Sequence, residues 1–208
     1  MSIKTAKPAI TETVGAQYLC FASAEDSTGF SGQYEEDVEK TETVKKVKVS
    51  TNGSSEDVYA SGKVYDTDNT SASKDIEVEA IAFPADTIAK ALGSNVDTGG
   101  LISDGADRGK PYFAYGKVVK KKHGQFVWEW YPKCMMLEIS DETSTKEEKF
   151  SEQTQTVTIR AYAFNEDGDF RNYVDSESKN FPKGLTEEKF FVKPILTPED
   201  LKTAIGGE

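Results

Sequence analysis

The sequence predicts an antiparallel, mainly β fold, a β-sandwich or barrel with one short flanking helix and a short C-terminal helix. Three observations point there. Apolar residues recur at every second position at Ile76, Val78, Ala80 and Ala82, and again at Val157, Ile159, Ala161 and Ala163, the period of a strand. Residues 110–137 hold two aromatic-rich runs on either side of His123-Gly124, a pair suited to a tight turn. Helical spacing is confined to residues 84–92 and 197–205, too little for a helical bundle.

The elements follow in order. Residues 1–14 are polar, contain Pro8, and read as an N-terminal arm. Residues 16–22 (AQYLCFA) are a compact apolar run between Gly15 and the turn-rich SAEDSTGFSGQ, hence a buried strand. Val44, Val47 and Val49 mark a strand that Asn52-Gly53 is expected to end in a hairpin turn. Residues 58–65 form the next strand, closed by the polar DTDNTSASKD, and residues 76–83 the one after, its end buried by Ile81 and Phe83. Pro84, with its fixed φ and missing N–H, suits the first position of a helix. Ile88 and Leu92 share a stripe on that helix beside Ala85 and Ala91, and Gly93 stops it. Residues 93–110, with five glycines and three aspartates, form a long connector of the kind that is usually functional or disordered. In the hairpin beyond it, Phe126, Trp128 and Trp130 occupy one face, and Val127, Glu129 and Tyr131 the other. Residues 140–153 are charged loop, and residues 154–164 alternate as a strand. At the C-terminus Thr197 is the cap, Pro198 the first helical residue, Glu199 and Asp200 the acidic first turn, Leu201 and Ile205 the apolar stripe, and Gly206 the stop. The chain thus divides into an arm (1–14), a β domain (15–180) and a C-terminal extension with a short helix (181–208).

Composition narrows the function. At 208 residues the chain can bury one substantial core. Its net charge of −11 disfavours tight binding to phosphate backbones, yet permits contact with DNA that must pass without adhering. Hydrophobic residues at 37% and aromatics at 11% suit a sheet with wet faces. No apolar run is long enough to span a membrane, and the first 17 residues lack the apolar core of a signal peptide. Cys20 and Cys134, far apart in sequence, read as reduced and half-buried.

No catalytic residue, metal site or cofactor is nominated. His123 is the one histidine and reads as a turn residue; any Ser-His-Asp or Cys-His machinery would need it, and no GxSxG accompanies it. Two cysteines and one histidine without ligand spacing do not close a zinc site, and neither GxGxxG at a strand–helix junction nor a P-loop occurs. Asp66, Asp68 and Glu77 fall at EF-hand spacing, but Ser71 replaces the required glycine and no helices flank them. Lys117, Lys120, Lys121 and Lys122 are the one concentrated basic patch. They read as a solvated tip or, in the functional alternative, as a surface that meets acidic groups on a neighbouring copy. The Phe126/Trp128/Trp130 face reads as buried sheet or subunit seam, the rival being a sugar-stacking platform in an immunoglobulin-like or carbohydrate-binding module.

An ordered set of segments carries a family resemblance: VGAQYLCFASAED, IEVEAIAFPADTIAKALG, the Gly/Asp loop to Gly109, KPYFAYGKVVKKKHGQFVWEWYPKCMM, and KFSEQTQTVTIRAYAF. Together they cover most of residues 14–164 and resemble the major tail proteins, or tail tube proteins, of long non-contractile-tailed bacteriophages of Gram-positive hosts. The resemblance implies a non-enzymatic virion protein, made in the host cytoplasm, whose protomers close into hexameric rings. The rings stack into a hollow tail tube through which DNA passes without specific binding. Implied partners are sister copies and other tail proteins such as the tape measure and the tail-tip initiator. On this reading the candidate inter-subunit contacts are Lys120, Lys121 and Lys122 on the hairpin tip, Asp97, Asp104 and Asp107 in the long loop, and Leu201 and Ile205 on the terminal helix.

Overall fold

The computed structural model describes residues 7–23, 30–60, 63–105, 108–141 and 153–206. Ten strands and three short helices follow one another along the chain. They are β1 (Thr11–Phe21), β2 (Glu39–Thr41), β3 (Val44–Ala60), β4 (Lys63–Ala80), α1 (Ala85–Ala91), β5 (Asn95–Val96), β6 (Ile102–Ser103), β7 (Phe113–Lys121), β8 (Phe126–Asp141), β9 (Gln155–Ala161), β10 (Asn172–Asp175), α2 (Glu187–Phe191) and α3 (Pro198–Ile205). Eight of the strands make one antiparallel sheet in the order β2-β1-β7-β8-β9-β4-β3, with β10 added to β8 beside the end of β9; β5 and β6 form a separate hairpin. The mainly β, antiparallel expectation with short helices holds.

The sheet curls. Leu19 and Phe21 of β1 share one core with Ile76 and Val78 of β4, although three strands separate β1 from β4. In a flat sheet those strands would lie roughly 19 Å apart at the usual strand spacing. The same concave core takes Phe113, Tyr115, Tyr131, Cys134, Met136, Val157, Ile159 and Ala161, and Ala91, Ile88 and Leu92 of α1 pack against it. Alternation along β9 is as read: Val157, Ile159 and Ala161 point inward, while Ala163 lies beyond the strand. The opposite, convex face of β1, β7 and β8 is apolar too. It presents Tyr18, Cys20, Val118, Trp128 and Trp130, which Leu185, Phe190, Phe191 and Ile195 of the C-terminal segment cover. The central strands are therefore dry on both sides, where composition alone suggested wet faces.

Two turns depart from the sequence reading. Asn52-Gly53 does not end a strand: β3 runs on to Ala60, and the pair coincides with a register shift opposite Ser73 and Ser71. Residues 58–65 are consequently the end of β3 and the start of β4, not one strand. The bulge accounts for the false signal, since both devices need a residue that tolerates irregular backbone. Pro84 stands one position earlier than expected, as the helix cap (φ −59°, ψ 129°), and α1 buries Thr87, Ala89 and Ala91 while Ala85 is exposed. Ile81, expected to be buried, is half exposed.

The other start and stop signals are realised. His123 takes φ 63° and Gly124 φ 71° at the β7–β8 turn. Gly93 (φ 71°) and Gly206 (φ 96°) follow α1 and α3 in the left-handed region. Thr197 and Asp200 form a reciprocal capping box, and Leu201 and Ile205 of α3 pack on the convex core. β1 begins at Thr11, inside the stretch read as an arm.

Candidate functional site

The two ends of the sheet differ in length. β2 is three residues, but β3 is seventeen and pairs on one side only, with β4. On the far side of Lys74, β4 also loses its partner β9, so residues 53–60 and 63–73 run on as a two-stranded arm with no ladder on either outer side among the described residues. A third open edge belongs to β10, which pairs with β8 alone. Even-numbered residues of β8 turn toward β10, because Ser176 N–H donates to Phe126 O (3.0 Å); odd-numbered ones turn toward β7, because Lys121 N–H donates to Gln125 O (2.7 Å). Tyr173 and Asp175 face the non-bonded side of that ladder, so their main-chain groups point outward. Of these, Asp175 O accepts from Ser178 N–H (2.9 Å).

A groove of about 820 Å³ runs beside this edge. Tyr173, Asp175, Phe181, Pro182 and Leu201 line it, and Lys7 and Pro8 form part of its wall. The N-terminal segment is tied there: Ala9 N–H donates to Glu177 Oε1 (2.9 Å), and Lys122 N–H to Ile10 O (2.9 Å). Lys121 Nζ holds the same corner, 2.7 Å from Asp175 Oδ2 and 2.8 Å from Glu177 Oε2. These hydrogen bonds raise the Lys121 pKa above its ordinary value. Glu177 is lowered by the Lys121 hydrogen bond and the Ala9 N–H. Burial pulls Asp175 upward, but the hydrogen bonds from Lys121 and Glu177 N–H and the Lys121 charge leave it below the usual value.

The expected contact residues are therefore placed unequally. Lys121 is engaged within its own chain, and Lys117 is buried against Glu129 (3.4 Å), so the four-lysine patch reduces to Lys120 and Lys122 as exposed cations. Lys121 and Leu201 come together at one groove. Ile205 packs against the convex core. Asp97 and Asp104 lie on and beside the β5–β6 hairpin: Asp97 closes its tip through Leu101 O and Gly100 N–H, and Asp104 accepts a bond from Ser94 Oγ. Asp107 lies outside the described residues. Most of residues 93–105 thus fold into a hairpin that exposes Val96 and Leu101. β10 and Phe181 were not singled out in the sequence. The only signal for them is the short alternation in RNYVD, too brief to separate from loop.

Neither tryptophan offers a stacking platform. Trp130 is fully buried with its indole N–H on Phe190 O (3.0 Å), and Trp128 is buried with Phe126 stacked on it at 4.2 Å. His123 is exposed in its turn. Cys20 and Cys134 are fully buried, deeper than expected, on opposite faces of the sheet, and burial pushes the Cys20 thiol up to about 11. What the described surface offers is main-chain edges, an adjoining groove and segregated charge, which suit association with another polypeptide.

No known family model matches the chain, and no curated protein matches it. Among solved structures the chain is similar to one in the 6-fold symmetrised cryo-EM structure of the anti-feeding prophage (AFP) baseplate. The TM-score is 0.46 at 5% identity, covering 84% of this chain and 100% of that one. It is also similar to a chain in the cryo-EM structure of the anti-feeding prophage cap, the AFP tube terminating cap. There the TM-score is 0.43 at 9% identity, covering 85% of this chain and 97% of that one.

Proposed function

We propose that this chain is a non-enzymatic structural subunit that associates with copies of itself into rings, and that stacked rings form a phage tail tube. The observation that carries the proposal is the arm: the far ends of β3 and β4 run on past β9 as a two-stranded ribbon whose outer sides pair with no other described strand. Soluble proteins shield such edges, because an unpaired row of N–H and C=O groups recruits other strands. Here the shield is a sister chain, and head-to-tail pairing around a closed ring leaves no edge over. The ordered sequence segments that resemble tail tube proteins support this kind of assembly, and the net charge of −11 suits a tube that passing DNA must not adhere to.

Negative-stain microscopy and sedimentation velocity across a concentration series test it. Rings or hollow filaments are expected as concentration rises. A chain that stays monomeric throughout, and that shifts on a glycan array instead, would replace this reading with the binding-module alternative.

A further inference from the structure

Resting on the self-association just proposed, the structure assigns the two surfaces that meet: we infer that the arm formed by residues 53–60 and 63–71 of one copy adds as a strand to the free edge of β10 in the next. The acceptor is built for an extended chain. Tyr173 N–H, Tyr173 C=O and Asp175 N–H point away from β8, into the side where the 820 Å³ groove lies. Phe181, Pro182 and Leu201 give that groove an apolar wall for alternate side chains of an added strand. The donor presents backbone on both outer sides, since neither β9 nor any other described strand reaches it.

Charge selects this pairing over the alternatives. The chain is strongly acidic, yet the acceptor end is not. Lys7 and Lys121 line the groove; Lys120, Lys122, Lys179, Lys183 and Lys202 adjoin lining residues or Lys121 in sequence and are exposed; the carboxylates there are Asp175 and Glu177, both held by Lys121, and Asp200, held in the capping box of α3. The arm is the reverse, with Glu56, Asp57, Asp66 and Asp68 in its sequence against Lys63 alone. An acidic arm on a second β3–β4 arm repels, whereas on the β10 end it is attracted. Because donor and acceptor are different surfaces, the contact is heterologous and propagates, closing into a ring when its rotation permits.

Tyr173→Pro tests the acceptor. Its N–H faces outward, so proline there removes no bond to β8 while blocking strand addition. Near-UV circular dichroism checks that the variant is folded, and Tyr173→Ala, which keeps the N–H, is the control for the ring that Arg171 covers at 4.4 Å. The concentration for half-assembly should rise at least tenfold in Tyr173→Pro and much less in Tyr173→Ala. A charge-reversed arm (E56K/D57K/D66K/D68K) should also fail to assemble alone. Mixed in equal amounts, the two defective chains should yield a 1:1 dimer that grows no further, since one working arm meets one working edge. Should the proline variant not fold, K179E/K183E takes its place, and combining it with the reversed arm in one chain should restore assembly. If the wild-type chain assembles and folded Tyr173→Pro, or K179E/K183E in its place, assembles equally well, the pairing is wrong while self-association stands. If the wild-type chain never assembles, the self-association reading itself fails.

Discussion

Gly116→Ala is the sharpest probe of how the convex face is closed. Gly116 lies in β7 opposite Tyr18 on one side and Trp130 on the other, under the C-terminal cover. A Cβ there would stand 2.9 Å from Phe191 Cε1 and 3.0 Å from Trp130 Cε3 and Cζ3, where ordinary contact begins at 3.4 Å. Phe191 has no easy way out, because it is stacked on Tyr18 (3.9 Å between centroids, 4° between planes) and set edge-on against Phe190 at 5.0 Å. Overpacking of this kind costs ~1–3 kcal/mol. Replacing a strand glycine by alanine recovers ~0.5–1 kcal/mol of that through the unfolded chain. Taking the middle of each range, the net expectation is a loss of ~1 kcal/mol. Urea unfolding followed by tryptophan emission reads it directly, since the chain has two tryptophans, Trp128 and Trp130, and both lie beneath the cover. Phe191→Leu in the same chain should relieve the crowding, so the double variant loses less than the sum of the singles. A Gly116→Ala chain as stable as wild type, or strictly additive with Phe191→Leu, would refute the close approach of strand and cover.

Three further outcomes are expected. Glu129→Gln leaves Lys117 and Arg171, each 3.4 Å from the same carboxylate oxygen, without their buried counter-charge; a loss of ~3 kcal/mol in urea unfolding is expected, part of it recovered by adding Lys117→Met. Thr197→Ala removes one half of the capping box and should cost ~1 kcal/mol, seen first as faster amide exchange at Asp200, whose N–H donates to Thr197 Oγ1 (3.2 Å). Acidification should release the N-terminal segment: Asp175 and Glu177 have depressed values, so their contribution is complete above ordinary carboxylate pKa values of 3.8 and 4.5 and is lost as pH falls through the lower folded ones. Exchange at the Ala9 amide should therefore stay slow at pH 6 and speed up at pH 3, beyond the intrinsic pH effect, with Lys121→Met already fast at pH 6.

The parts of this fold that the sequence made legible are those specified by local chemistry. Thr197-Pro198 and Gly206, His123-Gly124, and the alternation at Val157 and Ile159 each depend on neighbours within a few residues, and each appears as read. What was hidden depends on distant partners. Asn52-Gly53 satisfies a turn and a bulge equally well, and only the continued pairing of Ser54 with Thr70 decides for the bulge. The wet-face expectation holds on β3 and β4, where Lys46, Lys48 and Glu77 are exposed, and fails on β1, β7 and β8 for a similar reason. Phe181, Phe190 and Phe191 cover Trp128 and Trp130 from more than 50 residues away, in a segment whose local pattern announces only a terminal helix. Among the candidate contacts, Lys121 and Leu201 shared a groove that no spacing could foretell, and Lys121 was engaged by Asp175, in a strand too short to register, and by Glu177 just beyond it.

The distribution of dry and wet strands has a consequence for assembly. β1, β7 and β8 are packed on both faces by residues of their own chain, so the subunit's stability is supplied internally and does not wait on a partner. The two-stranded arm at the far ends of β3 and β4 and the short edge β10 lie outside that double packing, and their outer sides pair with no other described strand. On the proposed pairing, association would add main-chain bonds and charge pairing at the rim without repacking the core. Under the proposed self-association, strand addition of that kind would be directional and would repeat from copy to copy, which is the property that a ring or tube requires of its building block.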